Sequence, residues 1–300
     1  MPPGRFEQCH IVLNANAGSA EKADLAETLV ERFTEAGIRA TIDADREAPL
    51  EARILRAVES EAPLIVAAGG DGTVTAIAEA LIGTRKTLAI VPLGTANLLA
   101  RDLDIPLDID TAIGAIPDMH VRHIDAGVLN GRVFLHKVVV GLVPGIAAGR
   151  ERIRHRSGLR TYLGLAAYFL RRLARARPMI ARIENGESRT ERLYSVAVAN
   201  NGYDEGFGRF FARSRLDRGV LCLYRIRRLT LADVFRLTIG MLIGRWRNDV
   251  AIDVAEVRTV RLRGRKPATQ VMIDGEIALI TGTLDFSIRP GTVAVLAPPS

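Results

Sequence analysis

Cysteines, lysines and aromatic residues are scarce in this chain of 300 residues. The two cysteines, Cys9 and Cys222, both lie in apolar runs, which is typical of reduced core thiols and argues against a disulfide framework. No uncharged apolar run reaches the roughly 18 residues of a membrane span, and no secretory signal is visible at the N-terminus. A hydrophobic content of 48% excludes wholesale disorder. We therefore expect a cytoplasmic globular protein with one large domain or two ordinary ones.

The net charge of +7 is unevenly distributed along the chain. Residues 150–177 hold nine arginines and one acid, Glu151, which leaves the rest of the chain close to neutral. Such a patch favours a local anionic partner, a membrane surface or an acidic substrate. We expect no nucleic-acid partner, because no aromatic stacking platform accompanies the charge. Arginine also outnumbers lysine by 37 to 4, which is typical of codon bias, so an ordinary solvated face stays an alternative.

The first 120 residues alternate between strand and helix patterns. Short apolar runs typical of buried strands occur at residues 11–13, 38–42, 64–68 and 88–91. Apolar residues at helical spacing follow three of these runs, at residues 25–33, 54–58 and 74–81. Repeated strand–helix units of this length imply a parallel sheet with right-handed crossovers. The pattern predicts an α/β domain over residues 1–123.

After about residue 124 the pattern changes to that of antiparallel β structure. Asn-Gly pairs at residues 130–131 and 185–186 stand between apolar runs, which is typical of two-residue hairpin turns. Two stretches with helical spacing, residues 159–175 and 231–246, interrupt the strands. We therefore expect a second, mainly antiparallel β domain over residues 124–286.

A glycine-rich loop follows the most apolar of the predicted strands. It consists of Gly69, Gly70, Asp71, Gly72 and Thr73. Glycines here let backbone N–H groups approach an oxyanion, and the following helix directs its positive end to the same place. Asp71 would hold a metal ion or fix a nucleotide hydroxyl, and Thr73 would cap the helix and donate to a phosphate. The alternative is an ordinary strand-to-helix turn with one of these side chains as its N-cap.

Two further polar loops follow other strands of the predicted sheet. One spans residues 92–97 and contains Thr95 and Asn97, and the other spans residues 14–18 and begins with Asn14. In open parallel sheets ligands bind outside the carboxyl ends of the strands, so loops from three strands converge on one crevice. Their agreement predicts a nucleotide-binding site in the first domain.

The order of these motifs resembles that of the diacylglycerol kinase and sphingosine kinase family, with the soluble bacterial lipid kinases closest in length. The resemblance rests on Gly-Gly-Asp-Gly-Thr at residues 69–73 and Leu-Gly-Thr-Ala-Asn at residues 93–97. Matching segments continue in the family's order at residues 196–200, 217–219 and 273–276. The resemblance implies a first domain like that of NAD kinases and phosphofructokinases, completed by residues 287–300. It also implies that residues 124–286 form a β-sandwich that binds a lipid substrate.

The resemblance further implies roles for individual residues. ATP would be bound by Asn14, Gly69, Gly70, Asp71, Gly72, Thr73, Thr75 and Thr95. Asp71 would lie near the phosphates and their Mg²⁺ as one of two catalytic aspartates. The acceptor substrate would lie near Asn97, Gly275 and Glu276.

Asp274 matches the family's general base, which accepts the proton of the lipid hydroxyl as that hydroxyl attacks the γ-phosphate. In a loose phosphoryl-transfer transition state such an aspartate mainly orients the hydroxyl. From the residues alone, Asp274 and Gly275 between two apolar runs are also typical of a plain type I′ hairpin.

One departure from the family pattern concerns a structural Mg²⁺ site in the second domain. Bacterial members commonly have two aspartates before a glycine, whereas this chain has Asp217, Arg218 and Gly219. Mg²⁺ needs oxygen ligands, which an arginine does not offer. We therefore expect this accessory site to be absent, with a salt bridge of Arg218 in its place and Asp217 as a structural partner.

The two helical stretches of the second domain bear on how a lipid would be reached. Residues 231–246 have a wide apolar arc, and residues 159–175 combine apolar positions with arginines near their end. Either stretch would dock on a membrane or line an acyl-chain cleft. The alternative is that both simply cover the sheet.

The sequence thus predicts an ATP- and Mg²⁺-dependent lipid kinase, with diacylglycerol as the leading acceptor, that works at an anionic membrane surface from the cytoplasm. A kinase of a soluble hydroxyl compound is one alternative. A nucleotide-binding regulatory protein without turnover is another, although the intact glycine loop and Asp274 argue against it. The sequence leaves a homodimer open.

Overall fold

The structure, a computed structural model, describes residues 6–14, 19–45, 47–141, 171, 177–184, 188–206 and 212–299. The chain divides into two compact units, Met1–Ala126 with Arg289–Ser300 and Gly127–Ile288. The sequence analysis places the corresponding boundaries at residues 123 and 287. Within the described ranges, no helix has the length and apolar character needed to cross a membrane.

A parallel sheet forms the centre of the first unit. Its strands are β1 (Gln8–Asn14), β2 (Arg39–Asp43), β3 (Leu64–Gly69) and β4 (Thr87–Pro92), in the order β2–β1–β3–β4. β3 and β4 are buried along their whole length, which is why their sequences are continuous apolar runs. Val295, near the end of the chain, pairs in parallel with Leu88 of β4. The C-terminal residues thus complete this sheet.

Helices connect the strands of the first unit. They are α1 (Ser19–Glu35), α2 (Leu50–Glu59), α3 (Asp71–Leu81), α4 (Leu98–Asp102) and α5 (Ile109–Ala115), followed by a 3-10 turn (Ile116–Asp118). α1 buries Leu29 and Phe33 completely. Gly37, whose φ of 78° is left-handed, follows the end of this helix.

Two antiparallel sheets make up the second unit. The first contains the last residues of β5 (His120–Leu129), the strands β6 (Arg132–Phe134), β8 (Met179–Glu184), β9 (Ser188–Leu193) and β13 (Thr259–Gly264), and the first residues of β16 (Leu284–Ala297). The second contains β7 (Lys137–Gly141), β10 (Ser195–Asn200), β11 (Leu221–Ile226), β12 (Ile252–Val257), β14 (Ala268–Ile273) and β15 (Glu276–Thr281). Side chains from both sheets, among them Phe134, Val198 and Leu262, share one core. The second unit is therefore a β-sandwich.

Local signals explain one hairpin turn and one helix end of this unit. Asn130 and Gly131 both have positive φ, 48° and 90°, as a type I′ hairpin requires. The helix α6 (Leu231–Leu242) is shorter than predicted, because Gly244 takes a left-handed φ of 72° and packs against the backbone of Gly206. The predicted helix at residues 159–175 lies outside the described residues apart from Arg171, as does most of the basic segment.

Candidate functional site

The glycine loop makes a close turn from β3 into α3. Gly70 is the N-cap residue, and the first helical hydrogen bond runs from the Val74 amide to its carbonyl at 3.1 Å. Helix geometry leaves the earlier amides of the first turn without an intrahelical acceptor, and Gly72 is exposed among them. The loop therefore presents unpaired N–H groups and the positive end of a helix dipole, which suits an anion.

A second glycine-bearing loop packs directly on the first, backbone against backbone. A Cβ atom added to Gly94 would lie 2.7 Å from Cα of Gly70, closer than such atoms approach. The Leu93 amide also donates to the carbonyl of Gly69 at 3.0 Å. The glycine at position 94 is thus explained by the contact between the two loops.

Two polar side chains hold these loops in place. Asn97 has a left-handed φ of 47°, accepts from the Gly94 amide and donates to the Gly94 carbonyl, both at 2.9 Å. Oδ1 of Asp71 accepts from the Leu98 amide at 2.6 Å. The Asp71 carboxylate, at the start of α3, therefore provides the hydrogen-bond acceptor for the first amide of α4. The sequence did not predict this structural role.

The predicted cap of α3 by Thr73 is wrong. Gly70 occupies the N-cap position and no side chain caps the helix. Thr73 is buried, and its hydroxyl accepts from Nδ2 of Asn14 at 2.8 Å. Asn14 ends β1 in register with Gly69, the last residue of β3, and its bond to Thr73 ties the end of β1 to the first turn of α3.

Within the first unit the structure thus brings together most of the predicted nucleotide-binding residues. Asn14 donates one hydrogen bond to Thr73 of the glycine loop, and Asn97 lies on the loop that packs against the glycine loop. Thr75 lies half-buried on α3, and Thr95 is exposed on the second loop.

In the second unit, Asp274 sits at the tip of the hairpin between β14 and β15. Asp274 and Gly275 have φ values of 46° and 98°, so the predicted type I′ turn is present. The Asp274 carboxylate accepts three backbone N–H bonds, from Leu135 at 2.7 Å, His136 at 3.0 Å and Lys137 at 2.8 Å. The turn therefore does more than reverse the chain, because it positions the Asp274 carboxylate to accept hydrogen bonds from three backbone amides.

Burial raises the pKa of Asp274, while the three amide bonds and the nearby Arg213 guanidinium act in the opposite direction. Both carboxylate oxygens are fixed by these bonds, so the orientation of the group is set before any ligand binds. The two residues that follow Asp274 are exposed and do not share these backbone hydrogen bonds. Gly275 is exposed, and Glu276 forms only an exposed ion pair with Arg132 at 3.1 Å.

The sequence analysis missed the polar groups around this carboxylate. Arg213 is fully buried and donates to the carbonyls of Leu135 and Asn200, both at 2.7 Å. Nδ1 of His136 lies 3.2 Å from the Tyr203 hydroxyl. Burial lowers the pKa of His136 well below its usual value, so the ring is neutral. Because these groups come from separate loops and strands, no local pattern in the sequence marks them.

Arg218 lies where the family commonly has an acidic residue. Its guanidinium forms a salt bridge with Glu256 at 2.7 Å, and Asp217 pairs with Arg215 at 3.3 Å. The salt bridge that we expect for Arg218 is therefore present. The described part of the chain contains no cluster of three or more acidic, histidine or cysteine residues suited to a metal ion.

Comparison with known proteins finds two matching families. The diacylglycerol kinase catalytic domain matches residues 8–129, and the YegS C-terminal NAD kinase beta sandwich-like domain matches residues 140–297. The resemblance drawn from the motifs and the predicted fold class are both confirmed by these matches.

Similar proteins cover nearly the whole chain. A probable lipid kinase YegS-like protein of Pseudomonas aeruginosa is 32% identical over 281 residues, which span 87% of this chain and 89% of the relative. A diacylglycerol kinase of Bacillus subtilis is 29% identical over 280 residues, 90% of each chain. A crystal structure of a putative diacylglycerol kinase from Bacillus anthracis superposes with a TM-score of 0.73 at 21% identity over 99% of both chains, which shows the shared fold.

Proposed function

We propose that this chain, which belongs to the family of diacylglycerol kinases and YegS-like lipid kinases, transfers the γ-phosphate of ATP to the hydroxyl group of a membrane lipid, with diacylglycerol as the leading acceptor. The observation that carries the proposal is the pair of packed glycine loops at the carboxyl ends of β3 and β4, where the backbone leaves room for phosphate groups. Residues 1–123 and 287–300 would bind the nucleotide, and residues 124–286 the lipid.

The first unit fits ATP at its phosphates. The amides of the first turn of α3 would donate to phosphate oxygens, and the exposed Gly72 has no side chain to obstruct them. A side chain at Gly94 would displace the glycine loop, so both loops are shaped by the need to stay close. Asn14, Thr73, Thr75 and Thr95 are the further polar groups that we assign to this nucleotide site.

For Mg²⁺ we assign only one protein ligand in the first unit. Of the carboxylates near the glycine loop, Asp71 is the one that we assign to the metal accompanying ATP. Its Oδ1 is taken by the Leu98 amide, so its Oδ2 would be the ligand. Bound Mg²⁺–ATP would supply the phosphoryl group and part of the charge neutralisation that this reaction needs.

The second unit fits the acceptor chemistry at Asp274. A carboxylate fixed by three amides would accept the hydroxyl proton with little reorganisation. Gly275 leaves the approach to this turn free of a side chain, and we place the acceptor near Gly275 and Glu276. Because burial raises the pKa of Asp274, we expect activity to fall on the acid side at a higher pH than for an ordinary carboxylate.

The test is phosphoryl transfer from ATP labelled at the γ-phosphate. Acceptors are presented in mixed micelles and comprise diacylglycerol, monoacylglycerol, a sphingoid base, ceramide and phosphatidylglycerol. Asp274→Asn is assayed beside the wild type, and Asp285→Asn is the matched control, because Asp285 is an exposed aspartate of the same unit that pairs with Arg261. We expect label in one lipid product, lost with Asp274→Asn and kept with Asp285→Asn.

The other outcomes separate the alternatives. Equal labelling by Asp274→Asn would preserve the kinase and contradict the assignment of the base. Label in a water-soluble acceptor would favour a kinase of a soluble hydroxyl compound. Protein that binds ATP but transfers label to no acceptor would favour a nucleotide-binding regulatory protein.

A further inference from the structure

Helix α6 turns an apolar face away from the protein. Four large side chains on this helix are exposed: Leu231, Phe235, Ile239 and Leu242. At 3.6 residues per turn they fall within an arc of about 80°, and we call this arc the outer face. Phe235 alone is 69% exposed. A contiguous apolar row of this kind marks a contact surface, whereas single exposed leucines do not.

The opposite side of the helix is fixed to the second unit, so the outer face does not turn inward. Thr230 and Asp233 form a capping box, with N–H donation in both directions at 2.9 Å and 3.1 Å. Hydrogen bonds from the backbone and the hydroxyl of Thr230 lower the pKa of Asp233 to about 2, so the carboxylate is ionised at neutral pH. Arg236 then donates to Asp233 and to Asp249, both at 2.8 Å.

Positive charge flanks the outer face at both ends. Arg228 precedes the helix and Arg245 follows it, and both are exposed. The acidic residue of the helix, Asp233, lies on the buried side. The outer face is thus an apolar strip between two cations, and the helix has no exposed acidic side chain. This arrangement complements a surface in which an anionic layer covers an apolar interior.

We propose that the outer face of α6 docks on the surface of an anionic lipid bilayer. The apolar side chains would enter the boundary between headgroups and acyl chains, and Arg228 and Arg245 would lie at the level of the lipid phosphates. This inference rests on the proposed function in one respect, because a lipid acceptor gives the protein a reason to visit a bilayer. A second protein copy fits less well, since four partly exposed side chains offer far less than the roughly 800 Å² that each partner of a standard interface buries.

The test is sedimentation of the full chain with vesicles of phosphatidylglycerol and phosphatidylcholine. The double variant Phe235→Gln with Ile239→Gln removes apolar area and leaves the charge unchanged. Leu55→Gln on α2 is the matched control, because Leu55 is also exposed, at 56%, but lies in the first unit. We expect the double variant to lower the partition coefficient about tenfold or more, and the control to leave it unchanged.

A second pair of variants tests the charged flanks. Arg228→Gln and Arg245→Gln should each weaken binding to phosphatidylglycerol vesicles about fivefold at low salt. Neither should alter the weaker binding to pure phosphatidylcholine. Loss of binding to both vesicle types, or to neither, would contradict the placement of these arginines at the phosphates.

Activity measured in parallel distinguishes a failure of this proposal from a failure of the proposed function. On a short-chain diacylglycerol dissolved as monomers, the Phe235→Gln, Ile239→Gln variant should match the wild type, while on vesicles it should lose activity in proportion to binding. If no acceptor is phosphorylated by any variant, the proposed function fails, and vesicle binding still decides the role of the outer face. Undiminished vesicle binding by the double variant would overturn the docking proposal. So would a wild-type dimer that the double variant converts to a monomer.

Discussion

The glycine loop of the first unit and the Asp274 turn of the second both depend on backbone amides, but they use them in opposite ways. At the glycine loop, the close approach of Gly70 and Gly94 leaves the first turn of α3 open to an external anion. At the Asp274 turn, the amides of residues 135–137 are already bound by a carboxylate of the chain itself. We propose that the first region binds an external anion, whereas the amides of the second bind a carboxylate of the chain itself.

This difference determines how each region should fail. The glycine loop is sensitive to added atoms, because its function depends on space. The Asp274 turn is sensitive to lost partners, because its carboxylate accepts from three amides and the buried Arg213 donates to the carbonyl of Leu135 beside them. Variants that add a methyl group to one region or remove a charge from the other therefore test the comparison directly.

The largest effect is expected at Arg213. Arg213→Met removes two hydrogen bonds to buried carbonyls and a cation near Asp274. We expect a loss of about 2–5 kcal/mol in the free energy of unfolding, since buried acceptors and a buried charge lose their partner. Urea unfolding followed by circular dichroism measures this loss.

Arg215→Met is the matched control for that variant. Its side chain is 67% exposed and pairs with Asp217 at the surface, so we expect a change within about 0.5 kcal/mol. Equal effects of the two substitutions would show that the Asp274 turn does not depend on the buried guanidinium.

The features that the sequence predicts correctly are those set by nearby residues. Continuous apolar runs mark β3 and β4, and Asp274 with Gly275 marks a hairpin, because strand burial and turn geometry act over a few positions. The cap by Thr73 is wrong although it is local, because a glycine can occupy the N-cap without any side-chain bond.

Contacts between distant residues account for what the sequence does not reveal. Asp71 bonds an amide 27 residues away, and Arg213 bonds a carbonyl 78 residues away. A buried arginine in a loop has the same local pattern as an exposed one. The family resemblance identifies Asp274 as a candidate, but the three amides that hold it lie 137 to 139 residues earlier and become visible only in the fold.

A smaller effect is expected when space is removed from the glycine loop. Gly94→Ala places a Cβ 2.7 Å from Cα of Gly70 and from Oδ1 of Asn97, so the backbone must move. We expect a loss of about 1–3 kcal/mol in stability and at least a severalfold weaker affinity for ATP, measured by calorimetric titration. Gly114→Ala in α5 is the control, because nothing lies within 4 Å of the added atom. Unchanged ATP affinity in Gly94→Ala would separate the loop contact from nucleotide binding.

Substitutions of Asp71 separate its structural bond from its charge. Asp71→Ala removes the acceptor of the Leu98 amide, and we expect it to cost about 0.5–2 kcal/mol, as for a lost helix cap. Asp71→Asn keeps an acceptor oxygen and should retain most of that stability while weakening the binding of Mg²⁺–ATP. Thermal unfolding with and without Mg²⁺–ATP measures both effects. If both variants bind Mg²⁺–ATP as the wild type does, Asp71 serves only to hold α4.

The smallest effect is expected from a substitution of Arg218, because its salt bridge is with Glu256 and involves neither the glycine loop nor the Asp274 turn. Its salt bridge with Glu256 is partly exposed, and we expect Arg218→Ala to change stability by less than about 1 kcal/mol. Because the arginine supplies the positive charge that a metal ion would otherwise bring, added Mg²⁺ should not shift the unfolding temperature of the wild type in the absence of ATP. The check is thermal unfolding across a Mg²⁺ titration, with Ca²⁺ as a comparison. A saturable Mg²⁺-dependent rise in the wild type would show that an accessory metal site exists despite Arg218.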